Sequence, residues 1–387
     1  MSDTSDYIPY ATQAIDESDE QAVLEALRSA LLTTGPLVAA FEQQFCAYVK
    51  APFGVAVSSC TAALHTAVHA AGVGKGDEVI VSPLTFAASA NCVLYAQGTP
   101  VFADVDPHTL LISPDAVARQ MTPRTKAVIA VDYAGQPCDY PALRAVCDRH
   151  GVILIADCAH SPGAAFQGKT SAEWADIATY SFHPVKHLTS GEGGMVVTHR
   201  REWAADMRRF RNHGIDTDHT QRLQQGTWEY NMVSLGYNYR LSDIQCALAS
   251  SQLRKLDQWI HRRCNIAAQY DKAFTRETQL APLSVHKDAR HVWHLYVIQL
   301  AARYGATERQ QLFEYLRNHR IGVNVHYIPV YRHAYYVEHQ GGAAVSCPFA
   351  ESAYERIISL PMYSALTDEQ VSRVISCVKN GLHHLGQ

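Results

Sequence analysis

The chain has 387 residues, 47% hydrophobic and 18% charged, with a formal net charge of −4. Its length exceeds one typical core, so two domains are expected, at 1–240 and 241–387. The acidic balance gives no footprint for nucleic acid or an anionic membrane. No apolar run reaches spanning length, and the polar stretch Met1–Pro9 does not read as a signal peptide, so the chain is expected in the cytoplasm.

In chain order, Ser18 with Gln21 reads as a capping box, and Val23, Leu24 and Leu27 continue a helical face. Leu32-Thr33-Thr34-Gly35-Pro36 breaks that helix. A second follows, with Leu37, Phe41, Phe45 and Tyr48 in a packing stripe. Strand and helix then alternate. Strands are expected at Gly54–Val57, Glu78–Val81, Pro100–Ala103, Lys126–Val131, Val152–Ala156, Ile177–Phe182 and Met195–Thr198. Helices are expected at Ala62–Ala71, Phe86–Gln97, from Ser113-Pro114 onward, and at Asp139–His150. This rhythm predicts a large α/β domain with a mostly parallel sheet of about seven strands, covered on both faces.

Past Asn238 the texture changes. One long helix is expected from Leu241 to about Phe274, then a strand at Val292–Leu300, a helix at Thr307–His319 and a strand at Val323–Tyr327. A final helix opens at Thr367, with Gln370 completing a capping box and Val371, Val374, Ile375 and Val378 forming its face. These elements form a smaller α+β C-terminal domain. The ten cysteines show no Cys-x-x-Cys pair and the 20 histidines no metal-ligand spacing, so free thiols and no metal site are expected.

The chemistry concentrates between Val152 and Gly194. Val-Ile-Leu-Ile-Ala is a buried parallel strand that ends on Asp157, at the sheet edge where α/β folds place ligands. The strand Ile177–Phe182 delivers Lys186 just past its own end, before Gly191–Gly194. A lysine and a carboxylate at one edge suit pyridoxal phosphate: the lysine forms the Schiff base and the acid keeps the ring nitrogen protonated. Ser58-Ser59-Cys60-Thr61 opens a helix after a strand, where free amides and the helix dipole can take a phosphate. Phe86 can stack on a planar ring, and Ser181 can serve as a further phosphate ligand. Each feature alone has an ordinary explanation: a helix cap, a core aromatic, a strand-end hydroxyl. Together, in the order phosphate, ring, acid and lysine, they fit the aspartate-aminotransferase fold type I of pyridoxal-phosphate-dependent transferases.

The chain resembles the DegT/DnrJ/EryC1/StrS sugar aminotransferases over nearly its whole length. The resemblance rests on Leu32–Pro36, Ser59–Leu64, Gly76–Pro83, Asp157–His160, Ser181–Lys186, Gly191–Gly194 and Gly236–Asp243. Val325–Pro329 and Phe-His-Pro-Val-Lys further resemble the branch that aminates UDP-4-keto-6-deoxy-N-acetylhexosamines for pseudaminic acid. The resemblance implies Lys186 as the cofactor lysine, Asp157 as pyridinium partner and His160 lying against the ring. Cys60, Thr61, Phe86 and Ser181 complete the cofactor set, with Cys60 standing where Ala or Gly is frequent. Asn238 corresponds to an asparagine that reaches the neighbouring subunit's cofactor phosphate, which implies a homodimer with shared sites. Tyr10, Ala30, Leu31, Leu32, Thr33, Cys60, His183, Val325, His326, Tyr327 and Ile328 match substrate-contacting positions. The amino donor implied is L-glutamate, and the cofactor alternates between pyridoxal phosphate and pyridoxamine phosphate.

Three rival readings remain on the sequence. One is another nucleotide-sugar 4-aminotransferase, of the perosamine or aminoarabinose type. A second is a pyridoxamine-phosphate-dependent sugar dehydratase, a branch that resembles this chain but carries His where Lys186 stands. The third is a non-catalytic cofactor-binding regulator, for which no DNA-binding module or basic tail is visible.

Overall fold

The computed structural model describes residues 6–217, 221–222, 226–339 and 345–385. Its principal sheet has the order β1-β9-β8-β5-β4-β2-β3. The strands are β1 (Phe53–Val57), β2 (Glu78–Val81), β3 (Thr99–Phe102), β4 (Thr125–Val131), β5 (Ile153–Asp157), β8 (Ile177–Ser181) and β9 (Gly194–Thr198). Between β5 and β8 lie two short strands, β6 (Ala165–Phe166) and β7 (Lys169–Thr170), which form a small separate sheet with β11 (Ala289–Arg290). In the large sheet only β9 runs antiparallel, wedged between β1 and β8. The other neighbours pair in parallel, so β1, β2, β5 and β8 all end at one edge.

Strands β5, β8 and β9 are buried along nearly their whole length, as expected of sheet strands covered on both faces. Phe41 and Phe45 of the Pro36–Val49 helix pack edge-on against Phe182 at 5.3 and 5.2 Å, so the predicted stripe is core. Behind β5, the buried carboxylate of Asp132 accepts from Ser161 Oγ and Ser171 Oγ at 2.6 Å, Tyr140 OH at 2.8 Å and Cys138 N at 2.9 Å. Four donors satisfy that acid and fix the turn after Asp157 from below.

The second unit is a three-stranded antiparallel sheet of β10 (Leu280–Pro282), β12 (Tyr296–Leu300) and β13 (Ile357–Leu360), in the order β10-β12-β13. It has a core of its own, including Ile266, Tyr270, Leu312, Val371, Val374 and Val378. Thr367 and Gln370 cap the last helix as expected.

Four local expectations need correction. The first helix is capped by Asp16 with Asp19, not by Ser18 with Gln21, because the aspartate side chain already captures the amides of Ser18 and Asp19. The long helix is two, Asp243–Leu253 and Leu256–Phe274; the Lys255 amide bonds Gln252 O at 3.0 Å, a tightened turn that interrupts the ladder. The strand at 292–300 begins only at Tyr296, because the amides of Val292 and Leu295 are taken by Gly135 O and Ala134 O across the molecule. No strand forms at 323–327. Asn324 pairs with Ser359 in one isolated bridge, and its Oδ1 caps the Val325 amide at 2.8 Å, which ends the pairing.

Two cross-links bring this second unit to the edge of the large sheet. The N-terminal segment pairs with it through Ile8 N to Arg320 O at 3.0 Å and Met362 N to Tyr10 O at 3.0 Å. The Tyr133 hydroxyl, just past β4, donates to the carbonyl of His326.

Candidate active site

At the carboxyl edge of the large sheet lies a cavity of about 480 Å3. Four strand ends converge on it. After β1, Ser59 caps the Cys60–Ala70 helix: its Oγ accepts from Ala62 N at 3.1 Å and its carbonyl from Ala63 N at 3.0 Å. The amides of Cys60 and Thr61, the first two residues of that helix, donate to no acceptor among the described residues. Two free amides at a helix start, beside the Thr61 hydroxyl, form a cradle for a phosphate.

Ser181, the last residue of β8, faces the same cavity. Gly194 of β9 pairs with Val57 on one side and Ser181 on the other. A Cβ at Gly194 would stand 2.5–2.8 Å from Ser59 O, Ser59 C and Cys60 N. Only glycine there lets the turn after β1 close against β8.

Asp157 ends β5 and is 4% exposed. Its Oδ2 accepts from Ser89 Oγ at 2.6 Å and its Oδ1 from Ala159 N at 3.1 Å. Burial pushes this carboxyl up, while the two donors and the Lys186 ammonium pull it down. Ser89 in turn shares a 2.7 Å hydrogen bond with Thr85 Oγ1. The acid is held by an ordered chain rather than by solvent.

Lys186 lies on a tight turn whose amide donates to His183 O at 2.9 Å, and its side chain lines the cavity. Desolvation there lowers its ammonium to about 8, against the opposing pulls of Cys60 and Asp157. Burial drives the Cys60 thiol well up, so it stays protonated near neutrality. His160 is 5% exposed, and burial, with nearby Lys186, keeps it neutral, well below its ordinary range. Its Nε2 meets Tyr327 OH at 3.1 Å, and its Nδ1 has no partner. Phe86, 65% exposed, stands at the mouth.

The structure thus brings together Tyr10, Cys60, Thr61, Phe86, Asp157, His160, Ser181, His183, Lys186, Val325, His326 and Tyr327 around one cavity. It does not bring Ala30, Leu31, Leu32, Thr33, Asn238 or Ile328 to that cavity within one chain. Leu31 and Leu32 are 46% and 45% exposed, and Ile328 is 41% exposed. Asn238 is exposed and forms an isolated bridge with Asn212.

Ser89, Glu192, His294 and Asn324 also line the cavity and were missed by sequence reasoning. Ser89 has a faint signal, a polar residue in an apolar helix. His294 has none. It sits on an irregular segment that Gly135, at φ +96°, admits: a Cβ there would lie 2.8 Å from His294 N. His294 lies tilted against His160, with ring centroids 4.2 Å apart. A larger cleft of about 710 Å3 lies elsewhere; two of its arginines, Arg208 and Arg211, pair with Glu42, and no lysine lines it. Among the described residues, no group of His, Cys, Asp and Glu could hold a metal ion, and no helix is long and apolar enough to cross a membrane.

The profile of the DegT/DnrJ/EryC1/StrS aminotransferase family matches residues 13–379. The chain is 40% identical over 376 residues to the spore coat polysaccharide biosynthesis protein SpsC of Bacillus subtilis, covering 97% of each. Among solved structures, Helicobacter pylori PseC, an aminotransferase in pseudoaminic acid biosynthesis, superposes with TM-score 0.90 at 31% identity, covering 97% of this chain and 99% of that one. Spr1654 of Streptococcus pneumoniae, solved in PLP and PMP forms, superposes with TM-score 0.92 at 29% identity, again covering 97% and 99%.

The depressed lysine yields a direct expectation. In the cofactor-free protein, trinitrobenzenesulfonate should label the peptide carrying Lys186 at a rate that rises with pH and levels off around a midpoint of about 8. Below that midpoint the ammonium holds its proton and is unreactive. A midpoint at about 10.4, the value of a solvated lysine, contradicts the environment described.

Proposed function

We propose that this chain, which belongs to the DegT/DnrJ/EryC1/StrS aminotransferase family, is a pyridoxal-phosphate-dependent nucleotide-sugar transaminase. It moves the amino group of L-glutamate to C4 of a UDP-4-keto-6-deoxy-N-acetylhexosamine, as in pseudaminic acid synthesis. The observation that carries the reading is the convergence of Lys186, Asp157 and the free Cys60–Thr61 amides on one cavity. The residues fit the group: an amide cradle for its phosphate, a buried acid for its ring nitrogen, and a desolvated amine between them. The likeness to PseC supports the sugar class.

Bound there, pyridoxal phosphate supplies an electron-accepting ring. The protein does the rest. Asp157, braced by Ser89 and Ala159, would hold a proton on the ring nitrogen, and that positive charge would offset the burial that otherwise favours the neutral acid. Lys186 Nζ, free of its proton above about pH 8, takes the α-proton from the donor and returns a proton to C4 of the sugar. Neutral His160, oriented by Tyr327 OH, would help hold the cofactor without adding charge. His326, with Nδ1 at 2.8 Å from Ser359 Oγ and Nε2 at 3.4 Å from Asn324 Nδ2, lines the cavity beside Tyr10 and would contact the sugar there. In this reading the enzyme works in the cytoplasm.

Ala30–Thr33 and Asn238 take part in a homodimer, each subunit lending these residues to its partner's cavity. Their exposure within one chain supports this, as do neighbouring Trp228, Met232 and Leu235, at 83%, 66% and 74% exposed.

Two experiments test the reading. Offered a panel of UDP- and dTDP-4-keto-6-deoxy sugars with glutamate, the enzyme should aminate the UDP-N-acetylhexosamine substrate with the highest kcat/KM. Preference for another sugar of the panel would make it a different nucleotide-sugar 4-aminotransferase, and dehydration without amination would make it a dehydratase. For the shared site, Lys186→Ala and Asn238→Ala homodimers should each be weak. Refolded together, a random mixture should recover about a quarter of wild-type sites, because each heterodimer reunites one intact pair. No gain over the parents, with heterodimers confirmed, contradicts sharing.

A further inference from the structure

Lys186 also lines a much smaller cavity of about 10 Å3. Arg263, Lys186, His187, Thr189, Gln252 and Ser364 line it, and no acidic side chain does. A space of that size holds one water molecule or one monatomic ion.

Arg263 projects from the Leu256–Phe274 helix and is 3% exposed. Its Nη1 donates to the carbonyls of Trp293, His294 and Met362 at 3.2, 3.3 and 2.9 Å. Its Nε has no partner, and no carboxylate pairs with it among the described residues. Burial alone pulls its guanidinium down to about 10, still far above neutrality, so it carries full charge. His187 beside it is also buried; Nε2 meets Val292 O at 3.0 Å, and Nδ1 has no partner.

A buried, charged guanidinium without a counter-charge is among the most expensive arrangements in a protein, and carbonyl dipoles offset it only in part. Here it borders a cavity that Lys186 also lines and that no acidic side chain enters. We propose that this cavity is a binding site for a small monovalent inorganic anion of the halide class, held by Arg263 Nε. Such an ion neutralises the guanidinium, apart from the positions assigned to substrate and cofactor. Gln252 separates it from Asp19, whose Oδ2 accepts from Gln252 Nε2 at 2.6 Å.

The test uses the holoenzyme at constant ionic strength, with chloride replacing gluconate. Melting temperature should rise saturably by roughly 2–4 °C. Arg263→Gln should abolish the rise. Crystals soaked in bromide should show an anomalous peak in the cavity within hydrogen-bonding distance of Arg263 Nε, and that map decides the matter alone if Arg263→Gln does not fold. A rise that persists in Arg263→Gln, or a cavity without a bromide peak, overturns the proposal.

Discussion

The site depends on a close approach that only one residue permits. Strand β9 runs against the direction of its two neighbours, and its first residue, Gly194, sits level with Val57 on one flank and Ser181 on the other. A methyl at that point would enter the backbone of Ser59 and Cys60. With no side chain there, the helix start after β1 closes against the end of β8, and two free amides stand opposite the Ser181 hydroxyl. The parallel register of β5 and β8 then fixes the remainder, since Asp157 lies level with Thr179, seven residues before the lysine. An antiparallel strand inserted into a parallel sheet thus helps bring Cys60, Thr61, Ser181, Asp157 and Lys186 to one cavity.

Burial tunes the groups so placed, and in opposite senses. It favours the neutral form of each: up for Asp157, down for Lys186 and His160. For the lysine that is productive, because a free amine is the reactive form. For the histidine it is also productive, since a charged ring beside an electron-poor cofactor would repel it. For the aspartate it is adverse, and two hydrogen-bond donors with a nearby cation counter it. The same logic makes Arg263 conspicuous: it is equally buried, yet carries no such compensation from any acid.

The alternation of strands and helices made the large sheet legible, because both-face burial writes uninterrupted apolar runs such as Ile153–Ala156 into the chain. The site residues at strand ends, Asp157, Ser181 and Lys186, were legible for the same reason: a strand's end fixes which edge its last residue reaches. Places where distant backbone decides the conformation were not legible. Val292–Leu295 resembles a strand in sequence, but its amides bond to 134–135, some 160 positions earlier, and that bond brings His294 to the cavity. Val323–Tyr327 carries strand-like residues, yet the Asn324 side chain claims the next amide and ends the ladder. The break at Arg254–Lys255 leaves no glycine or proline to betray it. Asn238 and Ala30–Thr33 came from resemblance alone, and a single chain leaves them at the surface.

The measurement that bears most directly on the account is covalent trapping. Purified protein loaded with pyridoxal phosphate, reduced with borohydride and digested, should carry the pyridoxyl group on the peptide containing Lys186 and on no other. The account predicts that single label, with loss of visible absorbance on reduction. A label on a different lysine, or a protein that takes up no cofactor, would contradict it.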